Sequence, residues 1–535
     1  MSEQPRKEAR LSPRALLLVV AILAVHALLA WYLRVWGITT GDDDAGYVLL
    51  ARSLRAGHYR DLHDALLPVA ARYPPGYPAL LAMVSLLTGE RIGAYVATSL
   101  VSSVAALWLL FDVMRRKWSM ELTVIVLALA ALNPFVVQNA GRVMSEAPFM
   151  ALVMLSLWAA LRFDNTPWGA WLAGGAAIAA DLTRSAGLPL LAALGILWLV
   201  QKRFKRVLVF GLVTAATCGV WTAWTLVAPN AVERGLYVAD AVSAGHTAEP
   251  MRFAILERIA TNVTEYATQY LPSELPLPSV PGTVIDNILG LAIVAVCLTV
   301  GFATLWSRWR IASIFLGGYA LLLVGWAWAI DRFLDPVLPL ALLAILAGAV
   351  VLGDRWRRWR WVPALVLTLA IGLAAVNKDR TLVTAQQRCD RRNPTRSVGC
   401  ITEPEVEFFE ATRFAAANTP RNAVVVTAKA RPFYYYSDRR TVSSSAIVGL
   451  PPDRLVARMR ESSADYLLVT SLGFLAPAVR QAVVDACGSF TVLRAFGPTT
   501  ALLRLRTDST DVQGPSACTL LGTPAAAPAT AAVRQ

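Results

Sequence analysis

Residues 15–36 read ALLLVVAILAVHALLAWYLRVW and are followed at once by GITTGDDDAGY, residues 37–47. The first string is almost wholly apolar, and roughly 20 such residues in a helix cross the hydrocarbon core of a bilayer. It is too long for the apolar stretch of a signal peptide, and no small-residue cleavage site follows before Trp31, Trp36 and the acids. It reads as the first of a series of membrane spans. Ten more stretches of the same character lie at 92–114, 120–139, 147–163, 168–185, 187–201, 207–228, 285–305, 311–330, 333–352 and 361–377. Composition agrees. Of 535 residues 56% are hydrophobic and only 16% charged, where a soluble protein carries about 25% charged residues. Mean hydropathy is +0.51. A soluble fold cannot hide that much apolar surface, so the fold class is a polytopic α-helical membrane protein of about 11 transmembrane helices. Collagen, coiled coil, disordered scaffold and small secreted cysteine framework are excluded.

The net charge of +14 would suggest nucleic acid if it lay on one soluble face. Instead, 18 Lys and Arg residues fall in six short stretches, at 1–14, 115–117, 162–167, 201–206, 306–310 and 353–360. Lys and Arg concentrate on the cytoplasmic side of short loops. All six stretches come to one side with the N-terminus inside, and no nucleic-acid partner is called for. The long loops 37–91 and 229–284 and everything after about 378 then lie outside, in the expected setting of a bacterial plasma membrane. The expected domains are a cytoplasmic N-terminus (1–14), a transmembrane domain (15–377, including the outer loop 37–91), an extracytoplasmic α/β domain (378–521) and a disordered Pro/Ala/Thr tail (522–535).

Within the α/β domain, Val424–Thr427, Tyr466–Thr470, Thr491–Ala495 and Ala501–Arg504 read as strands. Helical spacing covers 403–417, 452–463 and 475–486. No nucleophile elbow, phosphate loop or metal cluster is present in the domain. Its four cysteines, Cys389, Cys400, Cys487 and Cys518, stand in an oxidising compartment and can pair. Cys389 with Cys400 would close a short polar loop, and Cys487 with Cys518 would tie down the tail. Four free thiols is the other reading.

Charges beside apolar spans are costly and usually functional. Asp42, Asp43 and Asp44 follow span one directly. Three adjacent acids repel one another, which raises at least one pKa, as a general base for a hydroxyl requires. The plain alternative is a helix start, with an acid capping the free N–H groups of a short interfacial helix over 45–56. The same loop continues Arg72-Tyr73-Pro74-Pro75-Gly76-Tyr77-Pro78, where Arg72 could meet a phosphate or simply snorkel. On the same outer side lie Arg142 and Glu146, Arg184 in Leu-Thr-Arg-Ser, and Arg332 in Asp-Arg-Phe-Leu-Asp-Pro-Val-Leu-Pro. Each alone is an ordinary ion-pair or topology residue. Together they form the layout for holding a lipid-linked phosphate with guanidinium groups while a carboxylate activates an acceptor.

Asp43-Asp44 with Tyr47 resembles the Asp-Glu…Tyr signature in the first outer loop of GT-C glycosyltransferases, in the bacterial protein-mannosyltransferase-like, Rgt-like and aminoarabinose-transferase-like group (glycosyltransferase family 39/83-like). The Arg-Tyr-Pro-Pro-Gly-Tyr-Pro stretch, Ser145-Glu146, Leu182-Thr183-Arg184 and Arg332-Phe333…Pro336…Pro339 recur in that order in the group, and the likeness spans about 15–377. It implies a GT-C fold and transfer of a sugar, with inversion, from a polyprenyl-phosphate donor to an outer hydroxyl on a glycan, lipid or protein. It also implies that Asp43, beside Asp44, is the catalytic base. Arg72, Arg184 and Arg332 would bind the donor phosphate, and Tyr47, Arg142 and Glu146 would orient the acceptor. Two departures stand out. Asp44 replaces the commoner Glu, and Tyr73 stands before Pro-Pro where the aminoarabinose branch has Lys, which argues against an aminoarabinose donor. Metal dependence varies across the superfamily, so a divalent metal stays open, although no clear metal cage is present. A transporter or flippase for lipid-linked glycans is the rival class, yet the internal repeat and mid-membrane charges typical of transporters are missing. A non-catalytic scaffold for envelope assembly is the third reading.

Overall fold

The computed structural model describes residues 11–228, 251–275, 284–326, 329–354, 359–506 and 516–521. The expected cytoplasmic cations Arg6, Lys7, Arg10, Arg355, Arg357 and Arg358, most of the 229–284 loop and the 522–535 tail lie outside the described residues.

In chain order the helices are α1 Pro13–Tyr32, α2 Asp43–Arg55, α3 Gly76–Thr88, α4 Ile92–Lys117, α5 Met120–Ala131, α6 Pro134–Ala140, α7 Glu146–Arg162, α8 Pro167–Thr183 and α9 Leu188–Val200. Next come α10 Phe204–Val227 with a π turn at Ala215–Gly219, α11 Met251–Glu265, α12 Leu271–Glu274, α13 Val284–Arg308, α14 Arg310–Gly325, α15 Leu338–Gly353 and α16 Val362–Gln387. All eleven expected spans carry helix. Six segments of the described residues are long and apolar enough to cross a membrane: α1, α4, α10, Gly290–Arg308, Asp331–Gly353 and α16. Others are shorter, with 17 residues in each of α7 and α8. The expected span 120–139 is not one helix. It breaks into α5 and α6, bent by 60°. Pro134 disfavours helix at Asn133, and the Asn133 side chain accepts from the Phe135 and Val136 N–H groups to start α6 afresh.

The chain forms two compact units. The first, residues 1–35 and 71–383, holds the membrane helices. Its core is centred on α15, where Leu340, Leu342, Leu343, Ile345 and Leu346 are fully buried. Lipid tails are as apolar as leucine, so close backbone packing has to replace the hydrophobic drive between helices. α13 and α15 show this at Gly301, where a Cβ would stand 1.7 Å from the Ala344 carbonyl oxygen, and at Gly348, 1.9 Å from that of Cys297. Polar contacts reinforce the packing: His26 on α1 is 2.9 Å from the Ser103 hydroxyl and 2.7 Å from the Ala131 carbonyl.

The second unit combines residues 36–70 with 384–535. Its helices are α2 together with α17 Glu403–Asn418, α18 Ala430–Ser437, α19 Pro452–Glu461, α20 Ala476–Asp485 and α21 Ala517–Leu521. Strands β1 Val424–Thr427, β2 Arg440–Ser443, β3 Tyr466–Val469, β4 Phe490–Ala495 and β5 Ala501–Leu505 form one sheet in the order β2-β1-β3-β5-β4. β1 runs parallel to β2 and β3, and β5 runs antiparallel to β3 and β4. A capping box of Thr402 and Glu405 starts α17. Cys389 is bonded to Cys400, and Cys487 to Cys518.

The division corrects the expected domain boundary, which placed all of 37–91 with the membrane helices. Residues 36–70 pack instead with the sheet domain. The Thr441 N–H donates to the His63 carbonyl and the Ala65 N–H to the Thr441 carbonyl, so the loop adds to β2. The Tyr436 hydroxyl donates to the Ile38 carbonyl at 2.8 Å, and the Thr40 hydroxyl to Glu405 at 2.6 Å. These main-chain groups and the Thr40 hydroxyl find their partners in the sheet domain, a pairing that no hydropathy pattern reveals.

Candidate active site

Five of the candidate residues lie in the first unit and three in the second. In the second unit, α2 carries Asp43, Asp44 and Tyr47, all buried. Asp42 occupies the N-cap position, but its φ is +77° and its side chain makes no cap hydrogen bond. Its carboxylate instead pairs with the buried Arg431 of α18 at 2.6 Å. The expected capping role is therefore not what holds this acid. Asp44 accepts from the Thr39 N–H at 2.6 Å and the Ala45 N–H at 2.8 Å. Burial pushes its carboxyl up to about 6 against these hydrogen bonds, with a smaller push from Asp43. Two of the three acids thus fix the geometry of the turn into α2, with Asp43 between them.

The first unit gathers the arginines. Gly76 ends the Pro-Pro turn so close to α8 that a Cβ would stand 2.6 Å from the Leu182 carbonyl oxygen. Only glycine lets the Arg72 loop meet Leu182-Thr183, the residues just before Arg184. Arg72 stacks over Tyr73, 5.4 Å from the ring centre. Arg184 ion-pairs with the buried Glu146 at 2.7 Å, donates to the Ser145 hydroxyl at 2.9 Å and lies 6.0 Å from the Phe333 ring centre. Phe333 is the neighbour of Arg332, whose N–H donates to Asp331. Arg142 is exposed and donates to Gln138. Arg184, and not its sequence neighbour Arg142, balances Glu146, because the tight turn after α8 points the guanidinium at the start of α7.

Sequence reasoning missed an acidic group beside this cluster. Asp335 is buried and accepts from Asn139 at 2.5 Å. Glu274, at the end of α12, has no exposed surface. Burial and, after it, the neighbouring Asp335 drive its carboxyl far up, so it holds a proton. A void of about 10 Å³ bordered by Asn139, Glu146 and Asp335 is the size of one water. Among the described residues no three His, Cys, Asp or Glu side chains gather to hold a metal ion. The only signal in the sequence was Asp335-Pro336 inside the quoted Arg332 stretch. Glu274 gave none, being one charge in a long loop. Arg431 and Thr39, the partners of Asp42 and Asp44, were equally silent.

No protein-family model matches the chain, and no curated protein matches it. Solved structures do. The archaeal oligosaccharyltransferase AglB from Archaeoglobus fulgidus, in complex with an inhibitory peptide and a dolichol-phosphate, matches with a TM-score of 0.55 at 12% identity, over 94% of this chain and 76% of that one. ArnT from Cupriavidus metallidurans in the apo state matches with a TM-score of 0.54 at 15% identity, over 92% of this chain and 98% of that one. The same ArnT bound to undecaprenyl phosphate matches with a TM-score of 0.50 at 14% identity over the same shares. At such low identity the likeness speaks for the fold. With the membrane helices and the appended sheet domain, it shows that this multi-pass membrane protein has the GT-C fold.

Proposed function

We propose that the protein transfers a sugar from a polyprenyl-phosphate donor to an acceptor hydroxyl on the outer face of a bacterial plasma membrane, with inversion. Asp43 takes the proton of the attacking hydroxyl as the bond from the anomeric carbon to the phosphate oxygen breaks, and the lipid phosphate leaves as the anion. Arg72, Arg184 and Arg332 neutralise that phosphate, Arg184 being held in place by Glu146 and Ser145. Guanidinium offers a planar fork of donors that matches phosphate oxygens. Tyr47 and Arg142 orient the acceptor. The fold supports the reading, since of its neighbours one ArnT structure is bound to undecaprenyl phosphate and one AglB structure to a dolichol-phosphate.

The observation that carries it is the acid turn: Asp42 and Asp44 are tied to Arg431 and to backbone N–H groups, a rigid frame that sets Asp43 at the first position of α2. The test is turnover per folded molecule of Asp42→Asn, Asp43→Asn and Asp44→Asn in membranes supplied with a panel of labelled polyprenyl-phosphate hexoses and pentoses. Asp43→Asn should abolish transfer while its expression stays normal. Near-normal transfer by Asp43→Asn would remove the proposed base, and lipid flipping with no transfer by the wild type would replace an enzyme with a transporter.

A further inference from the structure

A groove of about 280 Å³ runs along α8, α9 and α10 in the membrane unit. Its walls are almost wholly apolar. Trp198 and Phe210 meet edge to face, with ring centres 5.2 Å apart, and Gly174 packs against the Phe210 ring. Gly175 is exposed in the groove, and a Cβ there would touch nothing within 4 Å. Trp171 stands exposed on the same wall. One end is lined by Lys205 and Arg206 and the other by Val213. The eight helical steps from Lys205 to Val213 rise roughly 12 Å, so the groove leads from a charged rim into the apolar depth.

The rim is strongly basic. Residues 201–206 carry Lys202, Arg203, Lys205 and Arg206, of which Arg203 and Arg206 contact Asp164. Asp164 is gripped by Arg203 with two donors at 2.6 and 2.9 Å, and Arg206 lies at the longer distance of 3.9 Å from its carboxylate. Arg206 donates to the Asp164 carbonyl at 2.6 Å. Among the described residues Lys205 has no ion pair. A slot that is apolar along its length and cationic at its mouth is complementary to one kind of molecule, an acyl chain carrying an anionic head. Basic pockets between helices at the cytoplasmic surface bind anionic lipid head groups.

We propose that this groove binds one anionic phospholipid, with an acyl chain along Gly174, Gly175 and Phe210 and the phosphate on Lys205 and Arg206. By the Lys/Arg rule the basic loops 162–167 and 201–206 belong to the cytoplasmic face, whereas the proposed function uses its donor at the outer face, so the occupant is a resident membrane lipid and not the sugar donor.

The test is native mass spectrometry of the whole protein released from detergent containing equal amounts of phosphatidylglycerol and phosphatidylcholine. The wild type should retain one phosphatidylglycerol in preference to phosphatidylcholine. Gly175→Leu, whose Cβ would meet nothing within 4 Å, puts a branched side chain into the groove and should abolish that retention. Lys205→Gln should weaken it about fivefold, the share of one cation at an anionic surface, and Lys205→Arg should restore it. Melting curves confirm that each variant is folded, and Lys205→Gln alters only an exposed side chain. Equal retention of the two lipids overturns the proposal. Loss in Lys205→Gln with full retention in Gly175→Leu also overturns it, leaving a surface charge patch without a chain in the groove. Displacement of phosphatidylglycerol by undecaprenyl phosphate at the Gly175-sensitive site would make the occupant the donor lipid and overturn it too.

Discussion

Asp42 to Asp44 in the sheet-bearing unit, of which Asp43 and Asp44 are buried, and the buried Glu146, Glu274 and Asp335 in the membrane unit are both triplets of acids, but they are held in opposite ways. The first triplet is supplied with donors: Arg431 for Asp42 and two backbone N–H groups for Asp44. In the second, Arg184 serves Glu146 and Asn139 serves one oxygen of Asp335, while neither Glu274 oxygen has a hydrogen-bond donor among the described residues. Burying a carboxylate without donors is so costly that the group takes a proton instead. The first triplet is built for fixed geometry, while in the second Glu146 is ion-paired and burial drives the Glu274 carboxyl up.

Four experiments can break or sharpen that contrast. The largest effect is expected at Asp43. Removing a general base costs about 10²–10⁴ in rate, so Asp43→Asn should lose that much turnover per folded molecule with an unchanged melting temperature. A drop in stability with intact turnover would make Asp43 structural like its neighbours. Next is Arg184→Ala, which strands Glu146 as a buried unpaired charge and should destabilise the membrane unit by about 3–5 kcal/mol, read by thermal unfolding in detergent. Adding Glu146→Gln should recover most of that loss. If the double variant melts as low as the single one, the pair is not what Arg184 contributes.

The third experiment uses pH. Asp44 lies at about 6 in the folded protein against an ordinary value of 3.8, so the folded state binds its proton more tightly than the unfolded state does. Its contribution to stability is therefore fully present below about pH 4 and declines as pH rises through 6. Asp44→Asn should lack this decline, and melting curves between pH 4 and 7 that stay parallel for the two proteins would refute it. The smallest effect belongs to Glu274→Gln. An already protonated acid is replaced by a neutral amide of the same shape, so the change should stay below about 1 kcal/mol at pH 7. A large loss would mean that Glu274 is ionised and paired.

Much of this was readable in the sequence because it is local. Apolar length identifies spans one by one, and the Asn133-Pro134 pair that breaks the third was visible, though read through. The strand Arg440–Ser443 escaped because a four-residue edge strand with alternating polar positions looks like loop. The helix Ala430–Ser437, with a proline and three tyrosines, has weak helix propensity and is fixed by packing. The Asp43 loop was legible as a charge anomaly, but its partners were not. Arg431 is one of many arginines, and nothing in spacing or hydropathy joins it to Asp42. The Glu146–Arg184 pair was half legible: both residues drew notice, but Arg142 was the nearer partner in sequence.

The acid turn also has a place in time. Its partners Glu405, Arg431 and Tyr436 stand 365, 389 and 398 residues beyond Thr40, Asp42 and Ile38. At about 5–20 residues per second, ribosomes take ~20–80 s to cover that distance. Throughout that interval three adjacent carboxylates have left the ribosome with neither Arg431 nor the sheet to frame them. The turn thus matures last although its residues are made among the first, and a nascent chain halted before residue 431 has every acid of the site and no fixed place for them.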